Sequence, residues 1–209
     1  CSVVLKPAEE TPGTAVLIVQ CLLDAGLPPE AVQLVCGDPP LVSQTLIAHP
    51  AIRKASFTGS VAVGQHLGAL CAQQVKRFTS ELGGHAPVIV CEDTNLDFVL
   101  KMAVPAKFRN AGQVCASPIR FIVHRRHHDT FARQLAEAAQ ALRLGPGADP
   151  ASQMGPLTHA RRLDDMAHFV DDALGQGARL LCGGRRAPRA GFFFEPTVFV
   201  DAPPASRVM

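Results

Sequence analysis

The sequence predicts an α/β fold with a mainly parallel sheet covered on both faces by helices. Two observations carry that expectation. Short apolar, β-branched runs alternate with longer helical segments along most of the chain, and Gly, Pro and Asp mark the joints between them. Residues 1–5 read as a buried strand. Residues 11–25 read as a helix, with Thr11 as N-cap, Pro12 in the first turn and Gly26 as the stop. A strand is predicted at 32–35, the turn Gly37-Asp-Pro-Pro40 after it, then a helix at 41–48, a strand at 55–57 and a helix at 60–71. Further strands are expected at 75–79 and 88–90, and a helix from Asp97 to about Arg109. The remainder reads as a strand at 120–123, a helix at 129–142, a loop at 145–147, a helix at 158–176 and a strand at 179–181. No internal repeat or low-complexity linker interrupts the pattern. The glycine pair Gly83-Gly84 is the best place for the chain to pass between domains.

Composition narrows the function. Hydrophobic residues make up 47% of the chain, charged residues 18%, and the net charge is +2. Trp and Tyr are absent and no basic stripe is interleaved with aromatics, which argues against nucleic-acid binding. Arg125-Arg126 and Arg185-Arg186 read as solvated surface. No run is long and apolar enough for a membrane span, and the first residues do not resemble a secretory signal. A cytoplasmic setting is expected. Both ends look cut rather than finished.

The seven cysteines (Cys1, Cys21, Cys36, Cys71, Cys91, Cys115 and Cys182) are scattered and odd in number, with no C-x-x-C pair. That suggests a reducing compartment and neither a disulfide framework nor a metal site. Six of them read as small buried hydrophobes. Cys115 differs because it ends the run Asn110-Ala-Gly-Gln-Val-Cys115. A thiol there, with the carboxylate of Glu81-Leu-Gly-Gly84 upstream, is a minimum kit for covalent catalysis through a thioester. His66, His124, His127 and His128 have no neighbours that favour a catalytic role.

Phe57-Thr58-Gly59-Ser60 ends a predicted strand and opens a helix, with Gly64 one turn on. Free N–H groups at a helix start suit a pyrophosphate, although this is not the G-x-G-x-x-G fingerprint. The alternative is a tight strand-to-helix turn capped by Ser60. Lys6 and Glu9 follow the first strand, where α/β sheets bind ligands. Either could meet ribose hydroxyls or be plain surface charge.

Taken together, Leu5-Lys6-Pro7 with Glu9, Thr11-Pro12, Ala25-Gly-Leu-Pro28 and Ser56-Phe-Thr-Gly-Ser60 resemble the cofactor domain of the aldehyde dehydrogenase superfamily. Glu81-Leu-Gly-Gly84, Asn110 to Cys115, Met154-Gly-Pro-Leu157 and Gly191-Phe-Phe-Phe-Glu-Pro-Thr197 are similar to its catalytic-domain motifs, in the same order. The resemblance implies a Rossmann-like NAD-binding portion at 1–83 and an α/β catalytic portion at 84–209, both incomplete. It makes Cys115 the nucleophile and Glu81 the general base. It places Lys6 and Glu9 on the adenosine ribose, Ser60 on the pyrophosphate, and Thr58, Gly59 and Leu82 at the nicotinamide end. A ribose-facing Glu9 favours NAD over NADP. The family's oxyanion-hole asparagine and nicotinamide-ribose glutamate fall outside residues 1–209, and His85 stands where many members have lysine.

The Lys107-Phe-Arg-Asn110 run resembles the semialdehyde branch. There an arginine at the Arg109 position binds the far carboxylate of succinate semialdehyde or a relative. A guanidinium suits that task because it can grip a carboxylate through two parallel hydrogen bonds. The alternative is a structural arginine on a helix. The isolated polypeptide is expected to be inactive and the complete protein a homodimer or homotetramer acting on a small aldehyde. Competing expectations are a cofactor-independent thiol esterase and a non-enzymatic remnant.

Overall fold

A computed structural model describes all of Cys1–Met209. The chain forms two compact units, Cys1–Leu82 and Gly83–Met209.

In the first unit, β1 (Val3–Leu5) pairs in parallel with β2 (Val32–Leu34), and α1 (Pro12–Asp24) makes the crossover. Thr11 occupies the N-cap position of α1 but its side chain makes no capping bond; Pro12 supplies the preset φ of the first turn instead. Gly26, at φ +90°, stops the helix as expected. The helix α2 (Pro39–Ala48) starts two residues earlier than the sequence suggests, because the Asp38 carboxylate accepts from Leu41 N at 2.9 Å. Next, β3 (Lys54–Gly59), α3 (Val61–Gln73) and β4 (Arg77–Leu82) complete a second parallel pair. The core beneath it is Ile47, Leu67 and Cys71, with Ala55, Phe57, Leu70 and Phe78 packed against them.

β4 begins two residues later than the expected strand and runs on to Leu82. Val75 takes a left-handed conformation (φ +53°) in the turn that closes α3, which delays the strand. Glu81 therefore stands inside a strand rather than in the loop after it.

The second unit opens with β5 (Val88–Val90), α4 (Leu96–Phe108) and β6 (Phe121–Val123), the two strands being parallel. Then come α5 (His128–Gln140), α6 (Ala160–Gly175), β7 (Arg179–Cys182) and β8 (Val198–Val200). The sequence reading missed β8, which pairs antiparallel with β7. Its three residues, Val198-Phe-Val200, form a run shorter than most strands, although Pro196 and Asp201-Ala-Pro-Pro204 bound it with turn residues. The main core gathers Val90, Phe108, Phe131, Leu135, Ala136, Ala139, Met154, Cys182 and Val198.

The α/β class holds, and three of the four strand pairs are parallel, but no continuous sheet forms. The strands make four separate two-stranded ladders. Strand periodicity specifies which side chains share a face and carries no information about which strand lies alongside. Coverage on both faces also fails. In the β5–β6 pair, Val88, Val90, Phe121 and Val123 pack into the core, whereas Ile89 on the opposite face is 70% exposed and Ile122 54%. Nothing on α1 is buried, and its Leu17 is 67% exposed.

The same open faces overturn the expectation for the cysteines. Only Cys71 and Cys182 are buried; Cys1, Cys21, Cys36 and Cys91 are exposed along with Cys115. Cys21 sits on the uncovered α1, Cys36 in the turn after β2, and Cys91 just past β5. Burial raises the pKa of both inner thiols, as expected for groups without a nearby cation strong enough to offset desolvation. No helix is long and apolar enough to cross a membrane.

Candidate active site

The first unit brings several predicted residues to one strand end. The in-register pairing of β3 with β4 sets Thr58 opposite Glu81 and Gly59 opposite Leu82. In a parallel ladder, paired residues send their side chains to the same face. Thr58 and Glu81 are therefore neighbours on an exposed face at the carboxyl end of the pair. The Leu82 side chain turns toward α3, where a Cβ on Gly64 would come within 2.5 Å of its Cδ2. Leu82 thus packs the helix onto the sheet.

Ser60 opens α3, and its Oγ accepts from Val63 N at 3.4 Å. The capping role is real, and the hydroxyl proton remains available to an anion. Gly59 has no room for a side chain, because a Cβ there would lie 2.4 Å from the Phe57 ring. This bare strand-to-helix junction, exposed from Thr58 to Ser60, fits a dinucleotide phosphate approaching the start of a helix. Lys6 and Glu9 form an ion pair after β1, and Lys6 Nζ also donates to the Pro7 carbonyl at 2.7 Å. The Lys6 hydrogen bond holds the Glu9 carboxyl below its ordinary pKa, so Glu9 is an acceptor through the neutral range.

In the second unit the Cys115 segment is built from the end of α4. Arg109 caps that helix with its side chain exposed, and it takes no part in the ion pairs of the chain. Three consecutive residues then turn left-handed: Asn110 (φ 52°), Ala111 (φ 54°) and Gly112 (φ 74°). Such φ values are costly for a residue with a Cβ. Ala111 tolerates the strain because its methyl packs against both hydrophobic clusters of the unit. Gly112 is favoured by its φ, and a Cβ there would also sit tightly, 3.3 Å from the Lys107 carbonyl oxygen and 3.4 Å from Nζ. Burial alone depresses the pKa of Lys107.

Cys115 lies in a turn closed by Ser117 N donating to Val114 O at 2.9 Å, and its side chain is exposed. An accessible thiol on a fixed turn is what attack on a carbonyl carbon requires. The sequence marked Cys115 but not its supports. Ser117, 1% exposed, donates through Oγ to the Lys107 carbonyl at 3.0 Å. Gln113 reaches across to the segment before α6 through both ends of its amide. Neither role leaves a mark in the sequence beyond residue type, because the partners are 10 and 45 positions away.

Residues 1–209 match the model of the Aldehyde dehydrogenase family over their full length. The chain belongs to that family. It is 47% identical over 209 residues to 4-(hydroxymethyl)benzenesulfonate dehydrogenase TsaD1 of Comamonas testosteroni, covering all of this chain and 43% of that protein. It is 39% identical over 208 residues to the succinate-semialdehyde dehydrogenase [NADP(+)] GabD of Escherichia coli, again spanning 43% of that protein. Among solved structures, PnpE in complex with nicotinamide adenine dinucleotide superimposes with a TM-score of 0.94 at 36% identity, covering 99% of this chain and 43% of that one. This chain of the aldehyde dehydrogenase family therefore spans less than half the length of the relatives it matches; GabD is named for NADP(+), and PnpE was solved with NAD bound.

Proposed function

We propose that the complete protein oxidises a small aldehyde carrying an anionic group to the carboxylic acid, with residues 1–83 in the cofactor-binding portion and 84–209 in the catalytic portion. The observation that carries this reading is the exposed Cys115 thiol on its anchored turn in a chain of this family. Cys115 Sγ, as thiolate, adds to the aldehyde carbon and forms a C–S bond, and the carbonyl oxygen becomes an oxyanion that the Cys115 N–H helps to hold. Bound NAD(P) would accept the hydride that leaves the resulting thiohemiacetal. Glu81 then takes a proton from water as that water attacks the thioester; the C–S bond breaks, the carboxylic acid leaves, Cys115 Sγ returns as thiolate, and Glu81 passes its proton to solvent.

Thr58, Gly59, Ser60 and the Leu82 backbone would hold the pyrophosphate and nicotinamide side of the cofactor, and Lys6 with Glu9 the adenosine ribose. The ionised Glu9 would repel a 2′-phosphate, which supports NAD as the preferred form. Exposed apolar faces on α1 and β5–β6 support a longer chain assembled as a homodimer or homotetramer, and five exposed thiols support a reducing, cytoplasmic setting.

Two measurements test the roles. In the complete protein, Glu81→Gln should slow steady-state turnover by roughly 10²- to 10⁴-fold. A stoichiometric burst of NADH should survive, with acyl-enzyme visible by intact mass. Unchanged steady-state turnover would show that Glu81 is not the deacylating base, and a lost burst would place its role at or before hydride transfer. Arg109→Ala should raise KM for succinate semialdehyde by about tenfold or more while leaving an uncharged aldehyde within about twofold, because removing a hydrogen bond to a charged group costs roughly 1.5–3 kcal/mol. Equal effects on both aldehydes would remove Arg109 from substrate recognition.

A further inference from the structure

We propose that Gln113 and Thr158 form a latch that positions the Cys115 turn, acting on the nucleophile without touching substrate. This rests on Cys115 being the nucleophile. The Gln113 side chain uses both ends of its amide. Its Nε2 donates to the Asn110 carbonyl at 3.0 Å and to the Pro156 carbonyl at 3.4 Å. Its Oε1 accepts from Thr158 N at 3.0 Å and from Thr158 Oγ1 at 2.8 Å. Asn110 Nδ2 returns a bond to the Gln113 carbonyl at 3.2 Å.

These contacts do two things at once. They hold the strained left-handed turn of Asn110 and Ala111 in place, and they tie it to a segment 45 residues downstream. That segment is itself fixed: Leu157, between Pro156 and Thr158, is buried in the cluster of Leu163, Val170 and Phe194, and its N–H donates to the Phe192 carbonyl at 2.8 Å. On the other side of the nucleophile, buried Ser117 is bound to the Lys107 carbonyl. Cys115 is thus bracketed, two residues away on each side, by side chains anchored to different elements. With one anchor released, the left-handed residues can relax toward ordinary φ values and carry the thiol with them. Displacement of a reacting atom by about 1 Å is enough to cost on the order of 100-fold in rate.

The test uses the complete protein, with activity expressed per Cys115 titrated by iodoacetamide and identified by peptide mass. Gln113→Ala should lower kcat about 100-fold with KM for NAD within about twofold. Thr158→Val, which removes one of the two bonds to Oε1, should lower kcat several-fold, while Thr158→Ser, which keeps the hydroxyl, should restore it. The serine rescue is the readout a merely structural position would not give, and it decides the matter if Gln113→Ala fails to fold. Equal kcat for the valine and serine variants would overturn the latch. So would an unchanged kcat in Gln113→Ala with a Cys115→Ser control that is dead, a result that leaves the nucleophile standing. An active Cys115→Ser control would overturn the latch and the nucleophile assignment together.

Discussion

Cys115→Ala in the complete protein is expected to reduce aldehyde oxidation by roughly four to six powers of ten, the scale seen when a covalent nucleophile is removed from a working site. The size of the effect follows from what the thiol does. Without Sγ no thiohemiacetal forms, so hydride transfer would have to start from the free aldehyde or its hydrate. The change should be nearly silent in stability. The side chain is exposed, and the turn around it is held by backbone and by Gln113 and Ser117. Surface substitutions of this kind fall within about 0.5 kcal/mol. NAD binding should also persist, since the residues assigned to the cofactor all lie in Cys1–Leu82. A steady-state assay for NADH, paired with NAD titration by fluorescence, checks both halves. Substantial NADH formation by the alanine variant would place the nucleophile elsewhere.

The second large effect is structural. Phe131 on α5 is 2% exposed, lies 5.4 Å from the Phe121 ring at a 45° tilt, and packs among Val90, Phe108 and Leu135. Phe131→Ala removes an aromatic side chain from the centre of the main core. The expected cost is about 3–5 kcal/mol, the transfer term plus a cavity that rigid neighbours cannot close. Hydrogen exchange at the slowest amides of α5, β5 and β6 should accelerate by about two to four powers of ten, since local protection follows the stability of the unit that opens. Catalysis should suffer in step, because Phe108, which leads into the Arg109–Gly112 turn, sits in the same cluster. Unchanged protection would mean that the cluster closes around the gap or contributes little to the stability of the unit.

The candidate site residues stand out in the sequence because their chemistry is local. A thiol after Asn-Ala-Gly-Gln-Val, a carboxylate before Leu-Gly-Gly, and a strand-to-helix junction at Thr58-Gly59-Ser60 each announce themselves within six residues. Helix boundaries came out within about two residues for the same reason, as the cap at Asp38 and the stop at Gly26 act on adjacent backbone. The errors share an opposite cause. Expecting six buried cysteines assumed that every apolar segment finds a cover, and α1 does not within these residues. The strand at Val198–Val200 is only three residues long, and what fixes it as a strand is pairing with Arg179–Cys182.

The sequence by itself determined the α/β class, the family resemblance and the candidate reactive groups, because periodicity, turn chemistry and motif order are properties of neighbours along the chain. Only the tertiary structure decided that Thr58 stands opposite Glu81, that strands pair in twos, and that Gln113 bridges Asn110 to Thr158. Those are contacts between residues tens of positions apart. Their formation depends on burial and hydrogen-bond geometry that no local pattern encodes.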